Sequence, residues 1–320
     1  MSGYKQYGTH LMIPSSEEVP KSITGKNFKI LFRDVEGKYR KETFVTKCEI
    51  VIEAKSIKRA QFVCDLIIGS MCVLEGCVSL GIRDTSVYPL EENIGEEPLY
   101  SSQITEYITL GFPSACKLAA KASFRRSYVN AINKFCLSCE IHSTHLMDLA
   151  PYHSPNIPLS PFPYDHLRYG YAITLAYSIV EELKLGVNAS PKKPSLKGGK
   201  WNPEVKEDLE RRLTESKIDI SDPIIWYRRG SKKRLEKRRP ITPLKKAPWA
   251  YGNVRDCEIL LIDAINYVSW LRSKIASHKV DRDIKLLSVY DVDNAQHLAR
   301  RLILESLGFW NLNKQKNEDT

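Results

Sequence analysis

The sequence predicts an α+β chain: a mixed α/β domain over residues 1–150, a proline-rich linker at 151–163, and an all-α helical bundle over 164–310. Three observations predict it. Short alternating apolar runs separated by turn residues crowd the first part. The stretch "APYHSPNIPLSPFPYDH" then places five prolines in the middle of the chain. Beyond it the apolar residues recur at helical spacing.

The elements follow in order. "KNFKILFRD" and "KYRKETFVTK" flank Val35-Glu36-Gly37, which predicts a hairpin, and "CEIVIEA" predicts a further strand. Ser56 is placed to cap a helix over "IKRAQFVCDLIIGSMCVLEG" that stops near Gly76. Residues 78–113 read as irregular, and one long helix is expected from about Pro113 to His145. In the second part, "DHLRYGYAITLAYSIVEELKLG" predicts a helix with Gly186 as its stop, and "SPKKPSLKGGK" a basic, flexible loop. Asn202 as N-cap, Pro203 at the first helical position and Glu204 behind it open the next helix. A helix is expected from near Asp256, and a last one from Asn294 as cap to Gly308 as stop. The tail at 311–320 is expected to be mobile.

Composition narrows the function classes. The chain of 320 residues, 42% hydrophobic and 27% charged, is ample for large cores. The greasiest stretch, "FVCDLIIGSMCVLEGCVSL", is interrupted by Asp65 and Glu75, so no membrane span is expected. No targeting segment is visible, and eight cysteines, several within apolar helical patterns, read as reduced thiols of a cytoplasmic protein. The net charge of +10 is concentrated: from Arg228 to Lys246 the chain has ten Lys or Arg against the single acid Glu236. That is the signature of a polyanion partner. Trp226, Tyr227 and Trp249 bracket the run, and aromatics among cations stack bases while the cations track phosphates. Arg228, Arg229, Lys232, Lys233, Arg234, Lys237, Arg238 and Arg239, on a loop at 228–246, are therefore the candidate nucleic-acid contacts.

Two metal-like patterns are set aside. Cys136, Cys139, His142 and His145 have ligand chemistry, but on one helix they spread over about 13.5 Å and drift by roughly 180°. Buried thiols and helix-end histidines are the better reading. Asp281, Asp283, Asp291 and Asp293 read as solvated loop acids and helix-start charges. No metal or cofactor is expected.

The stretch "NYVSWLRSKIASHKV" poses the sharpest question. Ala264, Val268, Leu271, Ile275 and His278 form one helical seam, and Arg272 and His278 sit roughly 60° to either side of Ile275. A guanidinium and an imidazole thus border a face that should be dry.

This motif resembles the signature of HEPN domains, small helical bundles marked by an Arg, four to six residues and a His; here five residues separate Arg272 from His278. "LRSKIASH" is similar to the "LRN-x-x-AH" form of many members, and "LAYSIVEELKLG" with its Glu pair resembles the first helix of such bundles. The resemblance covers roughly residues 163–310. The family often has Asn, Asp or His directly after the Arg, where this chain has Ser273.

The resemblance implies metal-independent RNA cleavage, commonly in microbial toxin–antitoxin and anti-phage systems. The residue types fit that chemistry. An imidazole shuttles a proton near neutrality, and a guanidinium holds two phosphate oxygens and stabilises the charge of a pentavalent transition state. His278 is then the general acid/base, Arg272 the phosphate clamp and Ser273 an auxiliary, with Glu181 or Glu182 orienting the Arg or His. The implied partners are RNA, a second copy or more of the chain, and an antitoxin or defence-system protein. The resemblance also implies a homodimer whose two motifs face each other; within one chain Arg272 and His278 lie about 9 Å apart along the axis and about 120° apart around it, which makes an awkward site alone. A non-catalytic HEPN module that binds RNA, a nucleotide or a protein is the alternative.

Overall fold

In the computed structural model the described residues are 3–14, 18–35, 40–41, 44–77, 86–90, 111–142, 163–229, 245–246, 254–275, 287 and 289–310. They divide into two units, one of residues 1–75 and 79–132, the other of 76–78 and 133–320. The linker at 151–162 and the tail at 311–320 lie outside the described residues.

The first unit is built on an antiparallel sheet of β1 (Lys5–Pro14), β2 (Ser22–Gly25), β3 (Phe28–Asp34), β5 (Phe44–Ala54) and β6 (Tyr88–Pro89), in the order β2-β3-β5-β1-β6, with β4 (Arg40–Lys41) paired to β5. The expected hairpin of "KNFKILFRD" with "KYRKETFVTK" is not the pairing found among the described residues: β3 lies against "CEIVIEA", from Lys29 opposite Glu53 to Asp34 opposite Cys48, while Arg40 and Lys41 pair with Val45 and Phe44. "CEIVIEA" is not a further strand, however. It is the second half of β5, because no turn residue interrupts the chain after Val45.

Strand β1, which the pattern of the sequence did not single out, carries an irregularity between Gly8 and Met12. Thr9 fills it: its buried hydroxyl donates to Ile50 O at 2.6 Å and accepts from Leu11 N at 3.2 Å. A side chain thus substitutes for the ladder bond the bulge removes. On the same sheet the fully buried Glu49 carboxylate is satisfied by the Arg33 guanidinium and the Tyr88 hydroxyl. The Tyr88 ring lies over Gly8, where a Cβ would come within 2.2 Å of it.

Helix α1 (Ile57–Glu75) starts as expected, with Ser56 Oγ accepting from Arg59 N at 3.3 Å, and ends at Gly76 with φ +80°. Its apolar run is explained by burial of Ala60, Val63, Leu66, Ile67, Met71 and Val73 in the core. Among the described residues no helix is long and apolar enough to cross a membrane. The single helix expected from Pro113 to His145 is two, α2 (Phe112–Ala122) and α3 (Arg126–Ile141). The break has a local cause: Ser123 Oγ donates back to Ala120 O at 2.6 Å and accepts from Lys26 N at 2.9 Å. The division between the two units falls within α3, so residues 133–142 belong with the second.

The second unit contains α4 (Pro163–Glu182), α5 (Pro203–Glu215), α6 (Leu261–Ile275) and α7 (Val289–Ser306). It is not all-α. A three-stranded antiparallel sheet, ordered β10-β11-β9, intervenes between α5 and α6, from β9 (Ile224–Arg229), β10 (Lys245–Lys246) and β11 (Val254–Ile259). The burial of Ile224 and Trp226 against the exposure of Ile225 is the two-residue alternation of a strand. Asp256 is accordingly a strand residue paired with Tyr227, and the following helix begins only at Leu261. "SPKKPSLKGGK" is likewise not simply a flexible loop. Leu196–Lys197 (β7) and Lys200–Trp201 (β8) form a hairpin, with Gly198 and Gly199 at φ +59° and +79° supplying the two left-handed positions of its turn. Trp201 Nε1 donates to Asp263 Oδ1 at 2.7 Å, which ties this hairpin to the first turn of α6.

The helix ends show where local signals suffice. Asn202 Oδ1 accepts from Glu204 N at 3.2 Å, with Pro203 behind it, as expected. Gly308, at φ +73°, stops α7, with Phe309 N bonding Leu304 O at 2.7 Å. Helix α4 stops earlier than Gly186. Lys184 takes the left-handed conformation at φ +61°, and Leu185 N bonds Val180 O at 2.8 Å while its side chain is buried. Arg212 on α5 then donates to the carbonyls of Lys184 and Gly186.

Helix α7 begins five residues before the expected cap, at Val289. Asn294 lies inside it, almost wholly buried, and caps an edge of β9 instead: Oδ1 accepts from Tyr227 N at 2.9 Å and Nδ2 donates to Tyr227 O at 2.8 Å. Two turns on, Arg301 is 1% exposed. Its guanidinium donates to the carbonyls of Pro223, Asp219 and Asp222 at 2.9–3.0 Å and to the Glu305 carboxylate at 3.1 Å, and its charge is thereby satisfied. Gln296 Nε2 donates to Ser138 Oγ at 3.2 Å and to His142 O at 2.6 Å, fastening α7 to the end of α3. Helix α4 packs against both α6 and α7.

Candidate functional site

Helix α6 is driven inward by the seam that its sequence suggested. Ala264 and Val268 are fully buried and Leu271 nearly so, and Ile265 beside them is buried too. This fixes the rotation of the helix and leaves Arg272 on its flank, with 43% of its side chain in solvent. There it meets α4. The Glu181 carboxylate stands 3.4 Å from Arg272 Nη2, and Arg272 Cζ lies 5.9 Å from the centre of the Tyr177 ring. Tyr177 and Glu181 are one turn apart on α4, so a single face of that helix supplies both the aromatic floor and the counter-charge.

The electrostatics of this corner are coupled. Burial raises the Tyr177 phenol above its ordinary range. Ser269 and Arg272 pull it down, while the Glu181 charge adds to the rise. The phenol therefore stays protonated at neutral pH beneath the guanidinium. Tyr177 is a member of the site that the sequence reading missed. Its signal was the i,i+4 spacing to Glu181, which becomes informative only once Arg272 is known to face α4.

Glu182 goes elsewhere. It is about 100° further round α4, and its carboxylate accepts from Lys134 Nζ of α3 at 2.8 Å. Of the two glutamates offered as orienting groups, the fold brings Glu181 to Arg272 and sends Glu182 to another helix. Ser273 is exposed, and its hydroxyl donates to Trp270 O at 2.7 Å, within its own helix. Its proton is thus committed to the backbone of its own helix. His278 lies outside the described residues.

The basic run is only partly described. Arg228 and Arg229 are the last two residues of β9, paired with Arg255 and Val254 of β11, and Lys245–Lys246 form β10. Both ends of the run are therefore strands and not loop. Lys232, Lys233, Arg234, Lys237, Arg238 and Arg239 lie outside the described residues.

The metal-like patterns stay apart. Cys136 and Cys139 lie within the continuous helix α3, His142 follows its end and packs with its ring tilted against Tyr169, centroids 4.8 Å apart, and His145 lies outside the described residues. Among the described residues no group of three or more His, Cys, Asp or Glu converges as metal ligands would. Asp291 is a helix-start charge, in the first turn of α7, but not a solvated one: it is 4% exposed and accepts from the Tyr267 hydroxyl at 3.4 Å. Asp293 is also within α7, and Asp281 and Asp283 lie outside the described residues.

No protein-family model matches the chain, and no curated protein or solved structure matches it.

Proposed function

We propose that the second unit is a HEPN-type endoribonuclease that cleaves RNA without a metal ion and acts as a homodimer. The observation that carries this reading is the placement of Arg272: solvent-accessible, flanked by the Glu181 carboxylate at 3.4 Å and floored by Tyr177. A guanidinium held between a carboxylate and an aromatic face keeps one orientation while donors remain for a phosphate. Arg272 clamps the scissile phosphate. His278, six residues on, takes the proton of the ribose 2′-hydroxyl as that oxygen attacks phosphorus, and a proton passes to the departing 5′ oxygen. The products are a 2′,3′-cyclic phosphate and a 5′-hydroxyl. Glu181 acts through Arg272 and is a positioning residue. By its family resemblance the protein serves as a toxin or in anti-phage defence, restrained by an antitoxin or another defence protein.

A second reading is favoured by one observation. With the Ser273 hydroxyl proton donated to Trp270 O, that proton is not offered to a phosphate held by Arg272. On that reading the module binds RNA, a nucleotide or a protein without cutting. Incubation of the purified chain with RNA in EDTA separates the two. Cleavage that persists without divalent metal supports the nuclease. RNA retained uncut, with measurable affinity, supports the binding module.

A further inference from the structure

We propose that the first unit carries its own docking platform for single-stranded nucleic acid, at the corner where the β2–β3 turn, the start of α1 and the α2–α3 junction meet. Hydrogen bonds fasten these three segments together. Lys26 N donates to Ser123 Oγ at 2.9 Å, and Arg59 Nη2 donates to Lys26 O at 2.7 Å. The strand pairing places them at one end of the sheet, because Gly25 opposite Phe28 closes the β2–β3 hairpin where β5 ends and α1 begins.

The chemistry of this corner is one-sided. Lys26, Lys58, Arg59, Arg125 and Arg126 come together on these segments, and Lys26, Lys58, Arg125 and Arg126 are exposed. Among the described residues no carboxylate forms an ion pair with any of the five. The segments Gly25–Lys29, Lys55–Arg59 and Lys121–Arg126 contain no acid at all. In their midst Phe124 is 58% exposed, the most exposed Phe among the described residues with a large apolar side chain in solvent. Two guanidinium groups are already laid on aromatic faces: Arg59 Cζ lies 4.7 Å from the Phe62 ring centre, and Arg125 Cζ 5.9 Å from that of Tyr128. Cations with fixed planes around a projecting aromatic ring match the demands of a single strand, whose bases stack and whose phosphates need counter-charges.

An anionic membrane offers negative charge too, but the corner fits it less well. Insertion strength scales with the apolar area buried, whereas here only Phe124 and Ile57 are large, apolar and exposed. Phe124 also sits beside a doubly bonded Ser123 between two helices, and not on a pliant tip.

This platform is independent of the nuclease reading and of the basic run at 228–246, and its test keeps them apart by using throughout a full chain in which Lys232, Lys233, Arg234, Lys237, Arg238 and Arg239 are changed to Gln. Binding of the full chain is followed by fluorescence anisotropy with a labelled oligothymidylate of about a dozen nucleotides, within the usual span of such sites. That strand lacks the 2′-hydroxyl that the proposed cleavage needs. An oligouridylate of equal length, read on the Arg272→Ala chain, compares ribose with deoxyribose. The expected result is about tenfold weaker binding in Phe124→Ala, recovered in Phe124→Trp. Arg125→Gln with Arg126→Gln should also flatten the slope of log affinity against log salt by about 1.4, two phosphates' worth. Tighter binding of the ribose strand would make RNA the ligand, and equal binding a single strand of either sugar. Unchanged affinity and slope in these variants, with unaltered circular dichroism, would overturn the proposal. So would a chain that binds neither strand yet binds phosphatidylserine vesicles through the same residues.

Discussion

The Glu181 carboxylate lies 3.4 Å from the Arg272 guanidinium, while Glu182, its neighbour on α4, lies 2.8 Å from Lys134. Adjacent residues of one helix thus serve different faces, and the difference is testable. Both partners of the Glu181–Arg272 pair keep more than two-fifths of their surface in water. The pair is therefore worth little to stability, at most about 1 kcal/mol. Glu181→Gln should leave the melting temperature nearly unchanged and lower RNA cleavage about tenfold, through a loosened Arg272. Glu182→Gln should leave cleavage unaltered. Equal losses from both substitutions would remove Glu181 from the site.

Asn294 replaces a neighbouring strand along the edge of β9, giving and taking one hydrogen bond at Tyr227. Asn294→Ala leaves both backbone groups without this partner. The expected cost is about 2 kcal/mol in urea unfolding, roughly 1 kcal/mol for each lost bond. Asn294→Asp keeps the acceptor but sets a buried carboxylate against Tyr227 O, so it should cost at least as much as Ala. A helix cap at this position would instead predict that Asp matches Asn.

His297 introduces a pH dependence. Its half-buried ring packs at 5.9 Å on Trp310, and desolvation, with the charges of Arg300 and Arg301 adding, lowers its pKa to about 4 from an ordinary 6.5. The native state therefore holds His297 neutral where the unfolded chain binds a proton. The sign follows: this contribution to stability is fully present above about pH 6.5 and is lost as the pH falls toward about 4. Carboxylates titrate in part of the same window, so the measurement is a difference. Denaturant midpoints of wild type and His297→Gln should converge on acidification, with wild type losing more. Parallel curves through that window would place the imidazole in contact with water.

How far the sequence reveals this molecule depends on the range of each interaction. Ser56, the Asn202-Pro203 start, Gly76 and Gly308 were legible because each cap is made by neighbours a few residues away. Lys184 was not. A lysine accepts a left-handed conformation there only because burying Leu185 compensates for it, and that depends on what α4 packs against. Asn294 looked like a cap because Asn favours caps, yet its partner is Tyr227, 67 residues away in sequence. The sheet of β9, β10 and β11 was obscured because the Lys and Arg of its ends suggested solvent and loop. Arg272 was legible as a polar residue bordering an apolar seam. The choice between Glu181 and Glu182, and the role of Tyr177, required the rotation of α4 against α6, which packing decides and no local pattern states.

The central claim is metal-free cleavage by Arg272 and His278, and the ends of the cut RNA test it most directly. Products of wild type, Arg272→Ala and His278→Ala in EDTA would be resolved by mass spectrometry. Wild type should leave 2′,3′-cyclic phosphate and 5′-hydroxyl ends, and neither variant should cleave above background. Cleavage that survives both substitutions, or that appears only when Mg²⁺ is restored, would contradict that claim.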